Sequence, residues 1–160
     1  MSDIIQKVDH AAIRVNQASI IVLLLVAFIF NLPILVPLIA LVMALGTAIK
    51  KPGFGLLYFN ALKPLGWVKP DVLRDNPEPH LFSQGLGSVF LFAASIALWT
   101  GVGALGWGLS WLVISLASLN LFVGFCAGCA VYYWLNRIHV PGFIKSPPEG
   151  TFPGLKPKVR

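Results

Sequence analysis

Charge is scarce in this chain, and the places that lack it form a pattern. Asp, Glu, Lys and Arg make up 11% of the residues, less than half the share of an ordinary soluble domain. Four long stretches, 15–30, 33–49, 82–101 and 108–135, carry no charged residue at all. With 57% hydrophobic residues, the chain has more apolar surface than one small core can hide, so lipid is its expected solvent. The missing charge also excludes mechanisms. No acid lies within an apolar stretch, so the intramembrane carboxylates of a proton-coupled transporter are lacking, and a small-solute transporter ranks last among the readings.

Cysteine is nearly absent as well. Two residues, Cys126 and Cys129, cannot staple a secreted scaffold of this size. The sequence has no phosphate-cradling glycine loop, no Ser-His-Asp set and no Cys-x-x-Cys-His haem motif. A cleavable leader is not expected either. The head mixes Asp3, Lys7, Asp9 and Arg14, and Asn31-Leu32-Pro33 after the first apolar run offers no small-residue cleavage site. The formal net charge of +6 does not point to nucleic acid. Its Lys and Arg sit at the ends of apolar runs rather than on a basic face interleaved with aromatics.

What is present reads as an all-α integral membrane four-helix bundle, with spans at about 15–30, 33–49, 82–101 and 108–135. At ~1.5 Å per residue such runs approach the ~30 Å of a hydrocarbon layer. Short uncharged turns follow the first and third spans. A longer middle loop, 50–81, is broken by Pro52-Gly53, Pro64, Gly66, Pro70, Pro77 and Pro79. Within it, 54–62 is too short to cross a bilayer. Its aromatics suit either a segment lying among headgroups or a loop packed on helix ends. Residues 140–160 are rich in Pro, Gly and Lys and are expected as an extended basic tail. Trp99, Trp107 and Trp111 at one end, and Tyr132, Tyr133 and Trp134 at the other, make two aromatic belts.

All twelve basic residues fall in the head, the middle loop and the tail: two, five and five. By the positive-inside rule these three segments and both termini are cytoplasmic, the protein being a multi-pass cell (inner) membrane protein with its two turns outside. Any site must then lie among the helices or at their cytoplasmic ends.

Chemistry centres on Cys126 and Cys129. Three apart on a helix, they share a face and can close a disulfide, exchange thiols or bind a soft metal. Counting back from Arg137 puts them roughly 12 to 16 Å inside. A thiol there has a raised pKa unless a cation or a helix break helps it. Arg14 at the mouth of the first span can supply the charge, and Gly124 and Gly128 can permit a break. The competing reading is helix packing. On a continuous helix Ala117, Asn120, Gly124 and Gly128 share one face, and the cysteines lie nearly opposite. Asn16 and Gln84, polar near the starts of the first and third spans, are expected to face the interior and orient a thiolate. His10, His80 and His139 lie near the same ends but match no zinc spacing, so no metal site is assigned.

Arg14-Val15-Asn16-Gln17, Phe82-Ser83-Gln84-Gly85 and, most specifically, Gly124-Phe125-Cys126-Ala127-Gly128-Cys129 followed by Tyr132 resemble an uncharacterised bacterial membrane family, domain-of-unknown-function family 4395. The resemblance covers roughly residues 9–135. It implies a layout similar to small four-span proteins of sulfur and thiol metabolism, with a thioredoxin- or rhodanese-like partner. It implies no cofactor, so the cofactor stays unknown. Two functional readings follow: a thiol or sulfur-handling membrane protein using Cys126 and Cys129, and a non-enzymatic accessory subunit of a larger respiratory or photosynthetic complex.

Overall fold

A computed structural model describes residues 6–148 and 150–157. Helix α1 (His10–Ile29) starts where Asp9, extended, turns its carboxylate onto the Ala11 N–H at 3.1 Å and satisfies one of the donors a helix start leaves open. It ends in the turn before Leu35, with Asn31 at φ 49. Helix α2 (Leu35–Ala48) follows. After it come a one-turn helix α3 (Gly55–Leu57) and a π-helical turn, Tyr58–Leu62. Helix α4 (Pro77–Trp99) opens on a proline whose missing N–H costs nothing at that position. Helix α5 (Gly103–Ser118) continues as a second π-helical turn, Leu119–Val123, and α6 (Ala127–Arg137) follows a break.

The all-α class holds. Three stretches, His10–Ile29, Pro77–Trp99 and Gly103–Val123, are long and apolar enough to cross a membrane, while α2 is a shorter apolar helix. Large side chains such as Val22, Ile29, Leu38, Val89 and Ile96 are exposed along the helices, as lipid-facing surfaces require. The inner faces meet through Ile20, Leu24, Val36, Ile39, Leu91, Val113 and Ile114. Lipid tails are as apolar as these side chains, so close backbone approach must hold the helices together. Gly106 shows it: a Cβ there would stand 2.5 Å from Leu98 Cγ and 2.8 Å from the Ala94 carbonyl. Gly46 does the same for α2, where a Cβ would stand 2.6 Å from Gly53 Cα.

Two departures from the sequence reading shape the site. The expected helix over 108–135 is not continuous. Its apolar composition persists, but Gly124 adopts φ 73 and the chain then runs extended to Cys126. In addition, a small ribbon forms outside the helices. Strand β1 (Gln6–Asp9) pairs antiparallel with β2 (Val72–Asp75), with Gln6 opposite Asp75 and Asp9 opposite Val72. The ribbon ties the start of α1 to the start of α4.

The segment at 54–62 rests on α1. Tyr58 is wholly buried against Ala11, Ala12 and Val15, while Leu56, Leu57 and Phe59 stay exposed. The tail returns to the molecule instead of trailing away. Leu155 bridges Phe125, Cys126 N–H donates to Gly154 O at 2.7 Å, and Lys156 N–H donates to Gly124 O at 2.9 Å. The extended strand left by the helix break offers the tail unpaired backbone groups, and the tail takes them.

Candidate functional site: a buried disulfide backed by histidine and aspartate

The break at Gly124 places Cys126 at the N-cap of α6 and Cys129 in its first turn, and the two are joined as a disulfide with Cα atoms 5.2 Å apart. Cys129 N–H donates to Cys126 Sγ at 3.2 Å. A sulfur in this position sits at the positive end of a helix dipole, an environment that favours thiolate.

The other side of the pair faces α4. His80, one turn into that helix, has Nδ1 3.4 Å from Cys129 Sγ and Nε2 2.9 Å from Asp75 Oδ2. Asp75 ends β2, and its Oδ1 also accepts the Asn76 N–H at 2.8 Å. His10, the first residue of α1, has Nε2 3.0 Å from the same Asp75 Oδ2, and its ring stands edge-on to His80 at 5.5 Å. The ribbon register does not by itself make this meeting, because it sets Asp75 opposite Gln6 and His10 beside Asp71, whose carbonyl accepts the His10 N–H at 2.8 Å. Burial by itself would raise the Asp75 carboxyl pKa. The close approach of His10, the hydrogen bond and charge of His80 and the Asn76 amide outweigh it and hold the group well below the usual carboxylate range. Asp75 is therefore an anion that fixes His80 with its Nε2–H toward the carboxylate, leaving Nδ1 to meet sulfur.

Cys126 is 4% exposed and Cys129 2% exposed, so a reactant reaches them only through an opening. A cavity of about 270 Å³ provides one, lined by both cysteines, His10, Asp75, His80, Arg14 and Lys156. Lys156 also pairs with Asp71.

Of the residues singled out by sequence, Arg14 lies on this cavity with its side chain exposed. Asn16 and Gln84 hold one another at 3.2 Å and anchor the loop after α2. Asn16 Oδ1 accepts Phe54 N–H at 2.8 Å, Gln84 Oε1 accepts Gly53 N–H at 3.0 Å, and Gln84 Nε2 donates to Met43 O at 3.0 Å. They also line a small cavity of about 30 Å³ that reaches Cys126 and His80. The face shared by Ala117, Asn120, Gly124 and Gly128 on a continuous helix does not survive the break. Ala117 is buried in α5, Asn120 lies in the π-helical turn and lines the main cavity, and Gly124 is the left-handed break itself. Gly128 packs α6 onto α4, since a Cβ there would stand 2.4 Å from Ser83 Oγ. His139 is exposed at the end of α6. Sequence reasoning passed over Asp75. Its only signal was an acid five residues before His80, inside a loop.

Among the described residues, two sets of side chains could hold a metal ion: His80 with the cysteines, and His10 with Asp75 and His80.

A family model described as "Domain of unknown function (DUF4395)" matches residues 8–137, so the chain belongs to that family. No curated protein and no solved structure matches it.

Proposed function

We propose that this protein exchanges a disulfide with a thioredoxin-like dithiol protein at one end of its membrane-embedded helices. The observation that carries this reading is the contact of Cys129 Sγ with His80 Nδ1, backed by Asp75, in a Cys-x-x-Cys at a helix N-terminus. A disulfide that served packing alone would need neither the imidazole nor the anion behind it.

The geometry supports the following division of roles. A partner thiolate entering the cavity attacks Cys126 Sγ and forms a mixed disulfide. The Cys126–Cys129 bond breaks, and Cys129 departs as a thiolate beside His80, which in its protonated form stabilises it and supplies the proton. The partner's second thiol then attacks its own sulfur in the mixed disulfide and releases Cys126 as a thiolate facing the α6 amides. The partner's two thiols become a disulfide, and this protein's disulfide becomes two thiols. Two electrons and two protons have crossed, and the steps run in reverse when the partner is oxidised. Arg14 lends positive charge to the cavity in which thiolates form.

The test is a trapping experiment in detergent. Cys129→Ser should accumulate a mixed disulfide between Cys126 and a thioredoxin-like protein, and Cys126→Ser should accumulate none. His80→Ala should slow exchange roughly 10²-fold, the lower range for a positioned acid–base group. A wild-type disulfide that excess dithiol leaves intact, or a trap that forms equally in both serine variants, would remove the reading.

A further inference from the structure

We propose that the dithiol form of this protein holds one thiophilic metal ion of the zinc type between Cys126 Sγ, Cys129 Sγ and His80 Nδ1. The inference does not depend on which partner reduces the pair. These ligand atoms lie within 4.8 Å of one another, so small side-chain movements on opening the disulfide can bring them to the ~2.0–2.3 Å bonds of a zinc site.

Three features fit an ion better than a bare dithiol. The first lies behind the imidazole. A metal-ligating histidine needs its other nitrogen held by a carboxylate or carbonyl, and Asp75 Oδ2 sits 2.9 Å from His80 Nε2. The ring is thus already aimed, and His10 stacked edge-on against it limits its rotation. The second is charge. Two thiolates and a neutral imidazole around a divalent cation sum to zero. That suits a place where both cysteines are buried, because the ion lets both sulfurs be thiolates at once without adding net charge. The third is room, since the cavity in front of the cysteines leaves a fourth position for water or an incoming thiol.

The alternative set of His10, Asp75 and His80 is already committed. Both Nε2 atoms lie near one Asp75 oxygen, at 2.9 and 3.0 Å, but the aligned hydrogen bond is that of His80, and it orients the ligand histidine.

Disulfide and ion exclude each other. A dithiol reductant gives up two electrons, breaks the Cys126–Cys129 bond and itself closes to a disulfide. The metal then takes both sulfurs as thiolates and releases their two protons to water. Oxidation reverses this and expels the ion.

The experiment uses the full chain in mild detergent, reduced anaerobically with a phosphine, and Zn²⁺ titrated against a chromophoric chelator. We expect one Zn²⁺ per reduced chain, and binding at least ~10²-fold weaker to the oxidised protein. His80→Gln and Cys126→Ser should each weaken binding at least tenfold. Asp75→Asn should weaken it by about 10–100-fold while keeping one ion per chain. A second measurement needs no variant: Zn²⁺ should protect both cysteines of the reduced wild-type protein from alkylation. Equal zinc binding by reduced and oxidised protein, wild-type affinity in His80→Gln, or alkylation unchanged by Zn²⁺ would overturn the site. Disulfide exchange is read separately by mixed-disulfide trapping, so either proposal can fail alone.

Discussion

Single side chains at this end of the molecule set charge and direction. Asp75 is buried yet anionic, its two oxygens bonded to the His80 imidazole and the Asn76 amide, with the His10 ring close by. Tyr58 shows the same economy on the neighbouring ribbon. Its hydroxyl donates to Asp9 Oδ2 at 2.9 Å, and Asp9 Oδ1 takes the amides of Ala11 and Asp71 at 3.1 Å each. One carboxylate thus starts α1, ties down the loop before β2 and holds the segment at 54–62. Burial, with the Asp9 hydrogen bond and charge, pushes the Tyr58 hydroxyl pKa from 10.0 up to about 12. The folded protein therefore prefers the neutral phenol. The stabilisation is complete below the unfolded value near 10 and is lost as pH rises toward the folded one. Tyr58→Phe should cost about 1–3 kcal/mol at neutral pH, as expected for a hydrogen bond to a charged group. The gap between wild type and variant should shrink from pH 9 upward in thermal unfolding in detergent. A gap that stays constant to pH 11 would contradict the assignment.

At the scale of elements, the hairpins were legible and the site was not. Each charge-free run marked an apolar stretch because lipid exposure imposes composition directly. Composition cannot see a dihedral angle, so the sequence offered Gly124 and Gly128 as places where a break is permitted without saying that Gly124 takes it. The ribbon was hidden for another reason. Gln6–Asp9 and Val72–Asp75 are four residues each and too polar to show a strand period, yet their pairing fixes where β2 lies against the segment that leads into α1. The cysteines could be named from spacing, and His10 and His80 were noticed. Their meeting through Asp75 needed the fold. The contact of α6 with α4 is the element-level test. Gly128→Ala would set a methyl 2.8 Å from Ser83 Cα, a collision with backbone that must push α6 away. It should lower the thermal midpoint and, by moving Cys129 from His80, slow disulfide exchange. Gly108→Ala, where a Cβ meets nothing within 4 Å, should do neither.

Over the whole molecule, the packing order sets α1, α2, α4 and α5 antiparallel to their neighbours in turn. The ribbon, the loop after α2, the cysteine pair and the tail gather at one end, and the turns at 30–34 and 100–102 at the other. Among the described residues, the Lys and Arg all belong to segments at the first end. Single reporter cysteines at Asn31 and Val102, in a chain lacking the native pair, should react with an impermeant maleimide from one side of the membrane. A reporter at Lys50 should react only from the other. Labelling of Asn31 and Lys50 from the same side would refute the arrangement and detach the site from the basic face.

The bridge from Leu155 to Phe125 gives the C-terminal stretch mechanical leverage over the sulfur chemistry. A pull on the peptide at Leu155 and Lys156 is delivered to the amide of Cys126 through Gly154. A partner that gripped this peptide would therefore be holding a throttle.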